Sequence, residues 1–155
     1  MALFDCVKAE WDRLGDWICG HRLHSPQIKW LIQIPRIFHI WKRAKMCSNF
    51  GEMMANIFEP LFEVTIDPQS HPSLHLFLET VVGFDSVDDE SQPESMEKAQ
   101  HPSPSNYDAE VNPPYIYWMY YLWVNINKLN RLRERRGLNT FSLCLFSLFT
   151  EALKC

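Results

Sequence analysis

The sequence predicts an α/β fold: about three parallel strands with covering helices. Three observations lead there. Short apolar runs at 29–35, 81–85 and 140–143 read as strands. Segments with helical spacing lie between them, and Pro, Gly and Asn mark the breaks. Three strands are too few to close a barrel. The sheet is therefore either small and open or part of something larger. No internal repeat or heptad is visible.

Residues 6–20 form an amphipathic helix, with Val7, Trp11, Leu14, Trp17 and Ile18 on one face and Lys8, Glu10, Asp12 and Arg13 on the other. Gly20 is a plausible stop. After Ser25-Pro26, the run Lys29 to Pro35 is apolar apart from its charged first residue and Gln33. It reads as a buried strand of a parallel sheet covered on both faces. Pro35 sets the entry to a short helix within 36–45. Asn49 is an N-cap candidate, and Glu52 three residues later suggests a capping box. Phe50, Met53, Met54, Ile57, Leu61 and Phe62 then form an apolar stripe, with Pro60 expected to kink the helix. A loop from Asp67 to Pro72 precedes a short helix at 73–80. The second strand is Val81 to Asp85.

Residues 89–114 are polar and rich in Pro, Ser and Glu. They read as a long loop, functional or disordered. Asn112-Pro113-Pro114 opens the longest helix, 115–136, which contains neither Gly nor Pro. Its last turns carry Lys128, Arg131, Arg133, Arg135 and Arg136, charges that complement the helix dipole. Gly137 is a natural C-cap. Thr140 to Leu143 opens the third strand.

Composition narrows the function classes. The 155 residues are 46 % apolar and 22 % charged, which suits one globular domain. A net charge of −4 gives no electrostatic reason to expect nucleic acid or an anionic membrane as a partner. The cysteines, Cys6, Cys19, Cys47, Cys144 and Cys155, are odd in number and include no C-x-x-C pair. Reduced thiols in a cytosolic protein are the simpler expectation. The first residues lack a basic stretch followed by an apolar run, so no secretory signal is visible. The apolar stretch 143–149 is too short to span a bilayer.

The candidate chemistry gathers after the second strand. Asp85, Asp88, Asp89 and Glu90 follow an apolar run, and parallel α/β folds carry their ligand sites at the C-terminal ends of strands. Such a cluster can bind a metal, hold a ribose hydroxyl or perform acid–base chemistry; equally, it can be a solvated turn. His71 and His75 have the i, i+4 spacing of a two-histidine metal site, but no third ligand accompanies them, and a capping or surface role is preferred. His39, among apolar residues, reads as a packed histidine. His21 and His24 lack a nearby ligand set. The nucleophile elbow, the P-loop and the dinucleotide glycine pattern are absent.

Several stretches together resemble the AMP deaminase family. They are Glu10 to Leu14, Lys29 to Ile37, Asn56 to Phe62, Gly83 to Ser91, Asn112 to Tyr115 and Leu129 to Gly137. The likeness runs over about residues 10–143, with segments 1–9 and 144–155 outside it. It implies a zinc-dependent hydrolase that converts AMP to IMP and ammonia on a TIM-type barrel, the metal activating a water that attacks C6 of the purine. The three strands then resemble the third, fourth and fifth of an incomplete barrel section.

Carried over residue by residue, Val82 to Glu90 resembles the strand-four segment of adenosine deaminases. That segment ends in Gly-Asp-Glu, and its glycine amide approaches the purine. Asp88 stands in the glycine's place and keeps the backbone N–H, so it is the first candidate for a substrate contact. Asp85, Asp89 and Glu90 are weaker candidates that could instead hold the loop.

The departures concern catalysis. The family's His-x-His zinc ligands are expected upstream of this segment. After Thr140 to Leu143 the family continues Arg-Pro-His-Cys-Gly-Glu-Ala-Gly. Here Phe146 takes the place of that zinc-binding histidine and Phe149 that of the proton-donating glutamate. No catalytic residue and no zinc ligand is therefore assigned to this chain. The resemblance implies a truncated family member, inactive by itself. AMP is the implied substrate, and a second copy or a full-length deaminase is a possible partner. A non-catalytic interaction protein pairing through exposed sheet edges is the alternative. A helical binding module resting on 115–136 is a third reading.

Overall fold

A computed structural model describes residues 1–3, 5–87 and 102–144. The described chain runs α1 (Ala9–Gly20), β1 (Trp30–Gln33), α2 (Phe38–Arg43), α3 (Phe50–Ile66), α4 (Pro72–Leu78), β2 (Val81–Asp85), a 3₁₀ turn (Pro104–Asn106), α5 (Tyr115–Arg135) and β3 (Ser142–Cys144). The three strands form one parallel sheet in the order β1-β2-β3. This is the mixed α/β section with an open parallel sheet that the pattern predicts. Residues 1–3 add a short parallel pairing outside β1, through Ala2 opposite Gln33.

The helices pack on one side of the sheet. Phe84, on β2, meets Trp11 of α1, Phe58 of α3 and Phe141 just before β3, with ring centroids 6.4, 6.2 and 5.3 Å away. Ile32 and Phe84 are neighbours in register and fully buried. A register irregularity between Trp30 and Leu31 makes room for Val82, so Val81 and Phe84, three residues apart, both bury.

The expectation that the sheet is covered on both faces is not met among the described residues. Leu31 is 38 % exposed and Val82 43 %. A continuous apolar run reads the same whether one face is covered or two, and here the helices cover one.

Two close approaches depend on glycine. A Cβ on Gly83 would lie 2.3 Å from the Ser142 carbonyl oxygen, so β2 and β3 could not keep their spacing. A Cβ on Gly15 would lie 2.7 Å from the Leu74 amide, where α1 crosses α4.

Asn49 caps α3 as expected, its side chain accepting from the Glu52 amide at 2.8 Å. The reciprocal bond differs from a capping box: the Glu52 carboxylate reaches Ser48, accepting from its amide at 2.7 Å and from its hydroxyl. Helix α3 continues through buried Pro60 to Ile66 without interruption. Gly137 ends α5 at φ +69°, as its C-cap position requires.

One basic residue of α5 departs from the dipole reading. Arg133 is 1 % exposed, stacked 4.4 Å over the Phe141 ring. Its guanidinium donates to the Asn139 carbonyl (2.6 Å), the Asn139 side chain (2.7 Å) and the Thr65 hydroxyl (3.3 Å). Burial lowers its pKa to about 10. This residue joins α3, α5 and the entry to β3.

Candidate functional site

The C-terminal ends of β1 and β2 continue to pair past the regular strands. The Ile34 amide donates to the Asp85 carbonyl at 2.8 Å, and the Arg36 amide to the Val87 carbonyl at 2.9 Å. Asp85 is 7 % exposed, and its carboxylate accepts from the Ser86 amide at 2.8 Å. The Ser86 hydroxyl donates to the Ile34 carbonyl and accepts from the Trp118 indole N–H, both at 2.9 Å. Three elements thus meet on one buried serine.

Arg36 closes the other side. Its guanidinium donates to the Pro113 carbonyl from Nε (3.2 Å) and Nη2 (2.6 Å), and lies 5.9 Å from the Tyr115 ring centroid. Asn112 donates to the Arg36 carbonyl at 2.7 Å, and its side-chain oxygen accepts from the His39 ring at 2.9 Å. These bonds fasten the entry to α5 onto the exit from β1. They fix the chain through Val87, immediately before the acidic residues. Asp88, Asp89 and Glu90 lie outside the described residues. Of the four acidic candidates, the structure therefore places only Asp85, engaged in holding the turn.

Ser86, Trp118, Arg36 and Asn112 were not singled out from the sequence. Arg36 had a signal: a cation directly after the proline that ends an apolar strand. Trp118 and Ser86 had none, because their pairing depends on how α5 crosses the strand ends.

His71, His39 and His21 are engaged in the scaffold. His71 stands at the α4 N-cap position, where its side chain makes no cap bond. Its ring donates to Asp12 at 2.6 Å and lies 3.5 Å from Glu63, joining α1, α3 and α4. His39 bonds Asn112, and His21 donates to the Trp17 carbonyl at 2.8 Å. Among the described residues, no three His, Cys, Asp or Glu side chains converge as a metal site. The described donor set thus does not fit a zinc ion.

A parallel α/β section whose strand ends carry an ordered polar turn is the class these features define. Comparison with known proteins makes it specific. The family model described as AMP deaminase matches residues 1–148. The chain is 50 % identical over 143 residues to AMP deaminase of Schizosaccharomyces pombe, covering 92 % of this chain and 17 % of that protein. It is 51 % identical over 142 residues to AMP deaminase 3 of Mus musculus, covering 91 % and 18 %. It is 47 % identical over 134 residues to AMP deaminase of Saccharomyces cerevisiae, covering 86 % and 16 %. This chain belongs to the AMP deaminase family, and it spans under a fifth of the length of these curated relatives.

Proposed function

We propose that this chain is a section of an enzyme that hydrolytically deaminates AMP to IMP and ammonia, and that by itself it does not turn AMP over. The observation that carries the reading is the turn at the strand ends. Asp85, Ser86, Arg36 and Trp118 hold the segment entering Gly83–Ser91, at the sheet edge where parallel α/β folds bind ligands. In this reading the segment forms one wall of a nucleotide pocket. Asp88 is the first candidate to offer its backbone N–H to the purine, with Asp89 and Glu90 as weaker candidates. Asp85 holds the turn that precedes them in sequence. Zinc belongs to the parent enzyme's chemistry; no step is assigned to it here, because the described residues do not form its site. The family model reaches from residue 1 to residue 148, and in this reading Phe146 and Phe149 supply neither a metal ligand nor a proton donor. The setting is purine nucleotide interconversion in the cytosol; among the described residues, no helix is long and apolar enough to cross a membrane.

The test is direct. The purified chain is assayed for zinc content and for AMP-to-IMP conversion. The expected result is neither stoichiometric metal nor turnover. Stoichiometric zinc accompanied by turnover overturns the proposal.

The exposed Leu31 and Val82 favour a second reading, association with a full-length deaminase through this face. Co-purification with an intact deaminase, lost on Val82→Lys, supports it. Binding that survives this substitution counts against it.

A further inference from the structure

We propose that Gln33 and Asp85 form a hydroxyl-binding pair on the uncovered face of the sheet and hold the vicinal diol of a ribose, a proposal that rests on the nucleotide reading above. Gln33 ends β1 and Asp85 ends β2, and the register of the sheet sets them side by side.

The pair belongs to a row that crosses the sheet. Gln33 on β1 is opposite Asp85 on β2, and Asp85 is opposite Cys144 on β3. The row lies beyond the exposed Leu31 and Val82, at the C-terminal ends of the strands, where parallel α/β folds bind ligands. Side chains alternate along a strand. Ile32 and Phe84, one position earlier, are fully buried under the helices. Gln33 and Asp85 therefore point the other way, to the face on which Leu31 stands. Neighbouring strands lie about 4.8 Å apart, so one small molecule reaches both side chains.

Both side chains keep bonding capacity on a fixed backbone. Asp85 is 7 % exposed, on the central strand between its two neighbours. One carboxylate oxygen accepts from the Ser86 amide at 2.8 Å, which orients the group and leaves the second oxygen available to a donor. Gln33 is half-buried. Among the described residues, neither that second oxygen nor the Gln33 carboxamide has a hydrogen-bond partner. The strand ends are held together by the Ile34 amide donating to the Asp85 carbonyl at 2.8 Å and by the Ser86 hydroxyl bonding the Ile34 carbonyl and the Trp118 indole. The pair is thus positioned before any ligand arrives.

The chemistry of the two groups selects the ligand. A carboxylate only accepts, while a carboxamide both donates and accepts. The row of Gln33, Asp85 and Cys144 contains no cation, so a phosphate placed on it would meet Asp85 uncompensated. An amino group has hydrogens to give and leaves the Gln33 amide hydrogens unmatched. Two adjacent hydroxyls match throughout. The first donates to Asp85 and accepts from the Gln33 amide, and the second donates to the Gln33 side-chain oxygen. The bond to the carboxylate is charge-assisted, the stronger kind.

The experiment titrates the full chain with AMP and with 2′,3′-dideoxy-AMP to millimolar concentration and follows amide shifts by NMR. AMP is expected to move the Gln33 side-chain amide and the Asp85 and Ser86 backbone amides. The dideoxy nucleotide should bind about tenfold more weakly, the loss of one charge-assisted hydrogen bond. Gln33→Leu and Asp85→Asn should each weaken AMP and leave the dideoxy nucleotide as it was. Equal binding of the two nucleotides overturns the diol assignment and leaves the nucleotide reading standing. So do shifts by AMP that spare Gln33 and Asp85. A chain in which AMP moves no amide overturns both. Should a variant fail to fold, the comparison of the two nucleotides on the unaltered chain decides the question alone.

Discussion

The two faces of the sheet are built on opposite terms. On the helix side, Ile32, Val81 and Phe84 are buried among Trp11, Phe58 and Phe141. On the other side, Leu31 and Val82 stand in solvent. Both faces are apolar, so side-chain type does not set them apart; the presence of a covering layer does. The helix-covered face supplies the cohesion that a small sheet needs. The open face keeps apolar surface that a barrel interior or a partner would bury. The polar turn at Asp85 and Ser86 lies where the strands end, anchored by Trp118 from the helix layer. Among the described residues the scaffold is thus one-sided, and the turn that leads to the acidic residues starts from its helix-covered half.

The sharpest test of this asymmetry sets Phe84→Ala against Val82→Thr. The first removes a fully buried ring from the centre of the helix-side core and should cost about 3–5 kcal/mol. The second exchanges an exposed side chain and should stay within about 0.5 kcal/mol. Denaturant melts of both variants measure the difference. Equal losses would show that the open face is covered in solution. Next in size is Gly83→Ala. Its new methyl collides with the Ser142 carbonyl, a backbone atom that cannot rotate away, and the expected loss is about 1–3 kcal/mol. Amide exchange should localise the damage to the β2–β3 bonds and leave β1–β2 protected.

How much of this was legible in the sequence depended on where the partners lie. Strand 81–85 was readable because an apolar run meets an acidic boundary. The α3 start was readable because a cap is completed within four residues. Helix 115–136 announced itself by lacking Gly and Pro, and its stop by Gly137. By contrast, Arg133 looked like an end-of-helix charge, since Thr65 and Phe141 become its neighbours only through the fold. Ser86 and Trp118 were silent for the same reason. The one-sided sheet was illegible because apolar strands do not state what covers them. Asp88, the leading candidate for a substrate contact, came from the resemblance and not from spacing.

The smallest effect probes the rim of the helix layer, where stability should depend on charge and not on packing. The Glu52 carboxylate accepts from the Ser48 amide and hydroxyl, and these bonds hold its pKa below the ordinary value of 4.5. A carboxyl depressed in the fold adds stability above its unfolded pKa and loses it as pH falls through the folded value. The group is exposed, so screening limits its worth to about 0.5 kcal/mol. Glu52→Gln should therefore lower the melting temperature slightly at pH 7. The gap from the parent chain should begin to narrow as pH falls through the ordinary carboxyl range and close as pH passes the depressed folded value, where the parent's own carboxyl is protonated. Phe84→Ala should show no such closure, because its loss is one of packing. A Glu52→Gln gap that stays constant from pH 7 to pH 3 would mean that the amide replaces the carboxylate poorly for reasons of shape, and that charge plays no part at the start of α3.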